Sequence, residues 1–425
     1  MSTSPSARRP DYDSSPTPLD RILARMKHLL YTSNHPRQAT SWIQDAITAV
    51  LSAWLVAGVI VNVSVHASTG SDSSSGWQFL FYTAFVALAA WLGFLVWKEI
   101  GTGRSGLAAL PIGYGAAVTG VPLFLISGLA SVIWHGSFGV EISPDILMSP
   151  VQLAVALTVI LMASAPWLAA MARLDAASSP KPVEFLPGVL SFSAALAVIT
   201  LLLSFGIAFV YDAPTATALL QTDATGAFAE GALALVAAIV LTTVLVVSLL
   251  LFVGRRWHTP PGTFTVLFLG PALMIGAVGG FENKGTALLF FASGVLADAL
   301  AWLVRPHLSR RRDLMIFAAG WAFATWLGLF VVGRIQGGEW AAPEIWSGAP
   351  VVTAFVAALL VLTVQPNSGI PPRRSAQKQM GLLDQTPEET TEEMSETDYF
   401  AGDSDDSGFA DTASSEPAFF ERDRD

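Results

Sequence analysis

Residues 227–253 read AFAEGALALVAAIVLTTVLVVSLLLFV, an apolar run interrupted by one charged residue, Glu230. The hydrocarbon core of a membrane is about 30 Å thick, so an α-helix needs roughly 20 mostly apolar residues to cross it. Ten runs of this kind occur along the chain, at residues 42–65, 77–97, 107–133, 151–172, 185–211, 227–253, 262–281, 285–304, 314–332 and 345–364. The sequence therefore predicts an all-α, polytopic membrane helical bundle of about ten transmembrane helices. Only residues 282–284 separate runs seven and eight, so whether both are full spans stays open.

The composition agrees with this fold class and limits the chemistry. Hydrophobic residues make up 52% of the 425 residues and charged residues 13%, which is too apolar for an ordinary water-soluble domain. The chain has no cysteine, which excludes disulfides, thiolate metal sites and covalently attached haem. The lipid bilayer is therefore the predicted partner of most of the chain.

The distribution of Lys and Arg predicts the orientation, because positively charged loops are retained in the cytoplasm during insertion. If the N-terminus is inside, 21 of the 23 basic residues fall on the inner side, and the exceptions are Lys284 and Arg334. Tryptophans at the ends of runs, such as Trp42 and Trp302, are typical of an interfacial aromatic belt. We therefore expect a multi-pass protein of the plasma (inner) membrane with both termini in the cytoplasm.

The termini differ in composition from the transmembrane domain, residues 42–365. Residues 1–16 are rich in Ser and Pro, which predicts a disordered cytoplasmic arm. Residues 17–31 predict an amphipathic interfacial helix, lying either on the inner leaflet or against the cytoplasmic mouth of the bundle. Residues 366–425 carry 15 acidic and 5 basic side chains, which predicts a disordered acidic cytoplasmic tail. That tail is either a docking segment for a cytoplasmic protein partner or a solvated spacer.

Several function classes lack their sequence signatures. The chain has no phosphate-binding loop, no paired-His zinc helix and no nucleophile elbow, so an enzyme is the less favoured class, and the cofactors stay unknown. The transmembrane domain also lacks the basic, aromatic-interleaved surface of a nucleic-acid-binding protein. A membrane-embedded function without nucleic acid is therefore expected.

The segment after the third run contains a short motif. Trp134-His135 is followed by Phe138-Gly139-Val140-Glu141 and then by Ser149-Pro150-Val151-Gln152-Leu153. This pattern resembles a set of uncharacterised bacterial multi-pass membrane proteins, frequent in actinobacteria, and the resemblance implies a helical membrane layout without implying an activity. In those proteins an acid and a His often occupy the positions of Ser131 and Gln152, so this chain departs from the pattern at two places.

The same segment suggests a metal site. The predicted topology puts His66, His135 and Glu141 on the outer face, and imidazole and carboxylate groups are ligands of zinc and copper. An outer-face metal-binding or redox membrane protein is therefore one hypothesis. The alternative is that these side chains cap helices and anchor them at headgroup level.

Asp298 is the second candidate, in the cytoplasmic half of the eighth run. A carboxylate inside the hydrocarbon costs about 2.5–3.5 kcal/mol on insertion scales, so it is expected to face the bundle interior or water. We therefore predict that Asp298 lines a substrate or ion pathway. In the alternative interpretation it only reaches the inner interface among Arg305 and Arg310.

Three functions remain for such a bundle. A secondary permease for a small solute or ion is favoured, because the chain has ten predicted helices with almost no soluble domain, Gly/Pro-interrupted helices and Asp298 in the membrane. Ten helices also allow a five-plus-five inverted repeat, as in many secondary transporters. Residues 124–130, FLISGLA, resemble residues 290–296, FFASGVL, at the expected counterpart position. The alternatives are the metal-binding or redox protein, and a non-catalytic scaffold whose acidic tail recruits partners.

Overall fold

The computed structural model describes residues 36–69, 77–139, 149–175, 178–221, 227–306 and 310–363. Every regular element in these ranges is helical, which confirms the predicted all-α class there. The arm, the amphipathic helix at 17–31, the acidic tail and Glu141 lie outside the described residues, so those interpretations stay predictions.

The α-helices follow one another along the chain with short connections. They are α1 (Trp42–Thr69), α2 (Trp77–Gly101), α3 (Gly115–Phe138), α4 (Pro150–Ala163), α5 (Ala165–Arg173), α6 (Pro182–Leu202), α7 (Ala213–Leu219), α8 (Ala227–Arg256), α9 (Thr263–Val278), α10 (Lys284–Val304), α11 (Arg311–Ile335) and α12 (Pro343–Thr363). Large apolar side chains such as Phe79, Val132, Leu233 and Ile335 point outward and are exposed. Such a surface suits lipid and does not suit water, as expected of a multi-pass integral membrane protein.

Eight of these helices are long and apolar enough to cross a membrane, and the count rises to nine if α4 and α5 form one bent span. The predicted ten spans are not confirmed. The seventh run forms only α9, whose 16 residues extend about 24 Å and fall short of the hydrocarbon core. The fourth run is broken at Ser164, where α4 and α5 meet at an angle of 44°.

The break between α4 and α5 is caused by Pro166 and stabilised by Ser191 of α6. Pro166 lacks a backbone N–H and its ring clashes with the preceding turn, so a straight helix cannot continue through it. Ser191 of α6 satisfies the broken backbone, since its Oγ donates to Ala163 O at 2.6 Å and accepts from Trp167 N at 3.3 Å. The bend is therefore fixed by α6.

Two apolar clusters form the core, and α6 and α9 contribute to both. Leu55 and Leu88 belong to the cluster of the first half, and Trp321 to that of the second half. The contact between α6 and α9 is close, because Gly270 N donates to Ser193 Oγ at 2.9 Å. The inverted repeat is not confirmed: α1 packs on α2 and α6, whereas its counterpart α8 packs mainly on α12 and α11.

Candidate functional site

Asp298 holds two helices together. Its Oδ1 accepts from Phe264 N at 3.1 Å, and its Oδ2 accepts from Thr265 N at 2.8 Å and Thr265 Oγ1 at 2.6 Å. The first N–H groups of a helix have no partner within it, and a carboxylate there also interacts favourably with the helix dipole. Asp298 of α10 therefore caps the N-terminus of α9, a contact that neither interpretation of the sequence included. Its predicted role in a pathway stays a prediction.

The two predicted histidine ligands each contact their own helix. His66 Nδ1 lies 2.9 Å from Asn62 O, and His135 Nδ1 lies 3.4 Å from Ser131 Oγ. No group of three His, Asp or Glu side chains able to hold a metal ion occurs within the described ranges, which exclude Glu141. The metal site and the family resemblance therefore stay predictions.

The sequence did not reveal an unwound segment inside the bundle, residues 203–211. The fifth run was predicted to be helical to residue 211, but α6 ends at Leu202 and two 3-10 turns, Ser204–Gly206 and Ala208–Val210, lead to α7. Phe209 is completely buried, as is Ala208. Because buried backbone that is not α-helical needs hydrogen-bond partners from elsewhere in the protein, this segment is a site of interest.

One hydroxyl of α8 replaces helical hydrogen bonds of the unwound segment. Thr242 Oγ1 accepts from Ala208 N at 3.1 Å and donates to Gly206 O at 3.4 Å. The approach is close: a Cβ added to Gly206 would lie 2.7 Å from Leu241 Cδ2. The chain becomes helical again at α7, where Asp212 Oδ2 accepts from Thr215 N at 3.0 Å. Thr242 therefore fixes the segment to α8.

Asn283, in the turn between α9 and α10, holds the other side of the unwound segment. Its Nδ2 lies 3.0 Å from Val210 O, 3.5 Å from Phe209 O and 2.9 Å from Ile275 O of α9. Its Oδ1 is buried and has no hydrogen-bond partner in the described part of the chain. The amide supplies two N–H donors, and Gly279 N supplies a third to Ile275 O at 3.4 Å, so the four acceptors still outnumber the donors at this point. We call these four oxygen atoms, Asn283 Oδ1 and the three carbonyl oxygens, the oxygen cluster.

The turn that presents Asn283 has little spare room. A Cβ added to Gly279 would lie 2.5 Å from Asn283 Cγ and Oδ1, so only glycine leaves space for the amide. Phe281 has a positive φ of 62°, which is rare for a residue with a side chain. The ring of Phe281 covers Gly276, where a Cβ would lie 2.7 Å from it. Gly276 therefore leaves room for the Phe281 ring in this turn.

Aromatic side chains pack against the buried face of the unwound segment. Phe209 stacks on Trp326 of α11 with ring centroids 5.0 Å apart. Phe290 of α10 contacts Phe209 edge-on, with ring centroids 5.2 Å apart. Trp326 Nε1 in turn donates to Thr243 Oγ1 at 2.8 Å. The segment is therefore packed among α8, α10 and α11.

A second polar cluster lies at the other end of the bundle. Arg173 Nη1 is 2.9 Å from Asp45 Oδ2, while Tyr114 and Thr40 donate to Asp45 Oδ1 at 2.9 Å and 2.7 Å. Burial, followed by the Asp45 carboxylate, raises the pKa of the Tyr114 hydroxyl, which lies just before α3 and stays a neutral donor. This cluster ties α5 to α1 and to the loop before α3.

No protein-family model, curated protein or solved structure matches this chain. Its function has to be inferred from the geometry of these sites. Asp298 and the Asp45 cluster have matched donors and acceptors, whereas the oxygen cluster has a surplus of acceptors. That surplus makes the unwound segment the best candidate for binding a ligand.

Proposed function

We propose that the chain is a secondary permease for a small solute or ion, with a pathway along the unwound segment. The supporting observation is that residues 203–211 are not α-helical and that Ser204 and residues 206–209 are buried, with main-chain groups of the segment held by Thr242 and Asn283. In many secondary transporters, discontinuous helices supply the main-chain groups that bind substrates and coupling ions. The bent α4–α5 pair and the short α9 are two further interruptions, and both pack on α6.

The side of the membrane follows from the basic residues. Contacts of Arg173 with Asp45 of α1, and of Arg256 with Met171 O, gather basic side chains at one end of the bundle. The positive-inside rule supports a cytoplasmic location for that end, with the protein in the plasma membrane. The turn at Asn283 lies at the opposite end, where Gly280 approaches Ser68 at the end of α1. The unwound segment is therefore proposed to open toward the outer side.

The two other hypotheses have less support. A metal site would have to include Glu141, which lies outside the described residues, and the scaffold hypothesis depends on the acidic tail, which lies outside them as well. The permease is the hypothesis for which the described residues supply a specific observation.

Because the chain has no natural cysteine, a single introduced cysteine can be labelled without background labelling of other thiols, and the test uses this property. Ser204 is buried in the unwound segment at 8% exposure, whereas its neighbour Phe205 is 63% exposed on the lipid-facing surface. We expect Ser204→Cys to react with a membrane-impermeant methanethiosulfonate reagent, because a pathway admits water. We expect Phe205→Cys to stay unreactive, because lipid suppresses the thiolate.

The labelling is measured in right-side-out and in inverted membrane vesicles, so that access from each face is scored separately. Reaction of Ser204→Cys from the outer face, from the inner face or from both supports a pathway. If Ser204→Cys is inert from both faces while a cysteine at exposed Ser68 near the end of α1 reacts normally, the segment is sealed and the proposed permease is wrong.

A further inference from the structure

We infer that the oxygen cluster, formed by Asn283 Oδ1 and the carbonyl oxygens of Ile275, Phe209 and Val210, binds a monovalent metal cation. This inference rests on the proposed function, because it names the ligand class for the same unwound segment. It assigns a role to Asn283 beyond holding the turn in place.

The first argument is the hydrogen-bond count. Three carbonyl oxygens lie 2.9 to 3.5 Å from the single Nδ2 atom of Asn283, which has two N–H groups, and one of the three, Ile275 O, also accepts from Gly279 N at 3.4 Å. The buried Oδ1 has no donor among the described residues. A buried acceptor without a partner costs about 1–3 kcal/mol. A cation offsets this cost once the amide is turned so that Oδ1 faces the three carbonyl oxygens, because one ion then interacts favourably with all four oxygens.

The second argument is geometric. The two ends of an amide have nearly the same shape, so a half-turn of the Asn283 side chain exchanges Oδ1 and Nδ2 without needing new space. After that turn, Oδ1 faces the three carbonyl oxygens, and an ion is required between them to offset their mutual repulsion. When no cation is bound, the N–H groups of Asn283 contact the same three carbonyl oxygens and thus take the place of the ion.

The third argument concerns charge. Ile275 lies in the last turn of α9, where the carbonyl groups carry the negative end of the helix dipole, and half-helix C-termini coordinate sodium in secondary transporters. All four oxygens are neutral, whereas calcium sites in proteins are rich in carboxylates. The neighbouring exposed side chains, Glu282 and Lys284, carry opposite charges and leave no net charge at the rim. These features favour a singly charged ion over a divalent one.

The binding test uses the purified full chain in detergent. The melting temperature is measured in sodium chloride, potassium chloride and choline chloride at equal ionic strength, because choline is too large for the cluster. We expect sodium or potassium to raise the melting temperature saturably by about 4 °C relative to choline, as expected for a ligand that binds only the folded state.

Three variants locate the site. Asn283→Asp keeps the size of the side chain and adds a charge, so we expect tighter cation binding, with the half-saturating sodium concentration at least ten-fold lower. Asn283→Leu removes the amide, and we expect it to lose the cation response; if it does not fold, Asn283→Asp still decides. Thr242→Val is the matched control, because it loosens the unwound segment without removing any oxygen of the cluster, and its cation response is expected to persist.

The outcomes separate the inference from the proposed function. Equal melting temperatures in sodium, potassium and choline would overturn the cation site, as would a response with the same half-saturation in Asn283→Asp and wild type. A water molecule, which can donate two hydrogen bonds to the cluster, is the occupant in that case. Labelling of Ser204→Cys without a cation response rejects the cation site and leaves the permease standing. A cation response with Ser204→Cys inert from both faces keeps the cation site and rejects the permease.

Discussion

The hairpin of α9 and α10 is held at each end by one polar side chain, and the two ends differ in their balance of donors and acceptors. At one end, the Asp298 carboxylate accepts three hydrogen bonds, from Phe264 N, Thr265 N and Thr265 Oγ1, so donors and acceptors are matched there. At the other end, the Asn283 amide faces three carbonyl oxygens while its own oxygen has no described partner. The Asp298 carboxylate is thus satisfied by structural hydrogen bonds, whereas the amide oxygen of Asn283 can still bind a ligand.

The difference between Asp298 and Asn283 indicates which kind of residue marks a candidate functional site in an apolar bundle. An ionisable residue within a membrane helix is by default a candidate functional site. Helix capping satisfies Asp298 without any substrate, because the start of α9 needs acceptors. An imbalance of donors and acceptors at a buried point is the more informative signal here.

Replacing Asn283 by leucine tests the end that lacks donors and is expected to have the largest effect. The carbonyl groups of Phe209 and Val210 lose the Asn283 donor, and each unsatisfied buried group costs about 1–3 kcal/mol. Ile275 O keeps Gly279 N as a donor at 3.4 Å. We expect a loss of about 3 kcal/mol or more in the free energy of unfolding, measured by denaturant titration in detergent. Asn62→Leu, at an exposed position of α1, is the control and should change little. Equal stability of the two variants would show that Asn283 does not hold the segment.

Replacing Asp298 by alanine tests the capped end. Phe264 N and Thr265 N lose their acceptor, and loss of a charged N-cap costs about 2 kcal/mol. Hydrogen exchange of these two amides is expected to accelerate, whereas Asp313→Ala, which breaks only the solvent-side contact to Arg310 at 3.8 Å, should leave exchange in α9 unchanged. Unchanged exchange in Asp298→Ala, together with loss of transport in Asp298→Asn, would favour the pathway role predicted from sequence.

The fit of the Asn283 amide against its turn is tested by Gly279→Ala. The added methyl group would lie 2.5 Å from Asn283 Cγ, and overpacking of this kind costs about 1–3 kcal/mol. Gly128→Ala in α3 is the matched control, because nothing lies within 4 Å of its added Cβ, and we expect no loss of stability there. If both alanines are tolerated equally in thermal unfolding, the turn is looser than described.

The smallest effect is expected for Thr242→Val, which removes the hydroxyl that holds the unwound segment on α8. Ala208 N and Gly206 O lose that partner, and a single hydrogen bond contributes about 1 kcal/mol. Thr83→Val is the control, because Thr83 contacts only carbonyl groups of its own helix at an exposed position. A melting temperature of Thr242→Val no lower than that of Thr83→Val would contradict the role assigned to Thr242.

The sequence predicted the helical class well, because the apolar runs are long and few charges interrupt them. It could not predict where the runs break. Pro166 interrupts a helix, yet Pro122 and Pro271 lie inside α3 and α9, so proline alone does not mark a break. The break at Pro166 depends on Ser191, a residue of a different helix.

The candidate site was missed for the same reason. Residues 203–211 are as apolar as a helix, and their unwinding depends on Thr242 and Asn283, which lie far along the chain. Hydropathy averages over a segment and cannot register one amide or one hydroxyl supplied by another helix. Asp298 stands out in the sequence because it is a charge within an apolar run, whereas Asn283 lies in a short polar turn, where an amide is common.

The central claim is that the unwound segment carries a pathway and that its oxygen cluster binds a cation, and the modification rate of Ser204→Cys tests both parts most directly. The rate is measured with the impermeant reagent in membrane vesicles containing sodium or, at equal ionic strength, choline. We predict that the rates in sodium and choline differ at least several-fold, because the ion replaces the amide contacts to Phe209 and Val210. Equal rates in the two salts would contradict the claim.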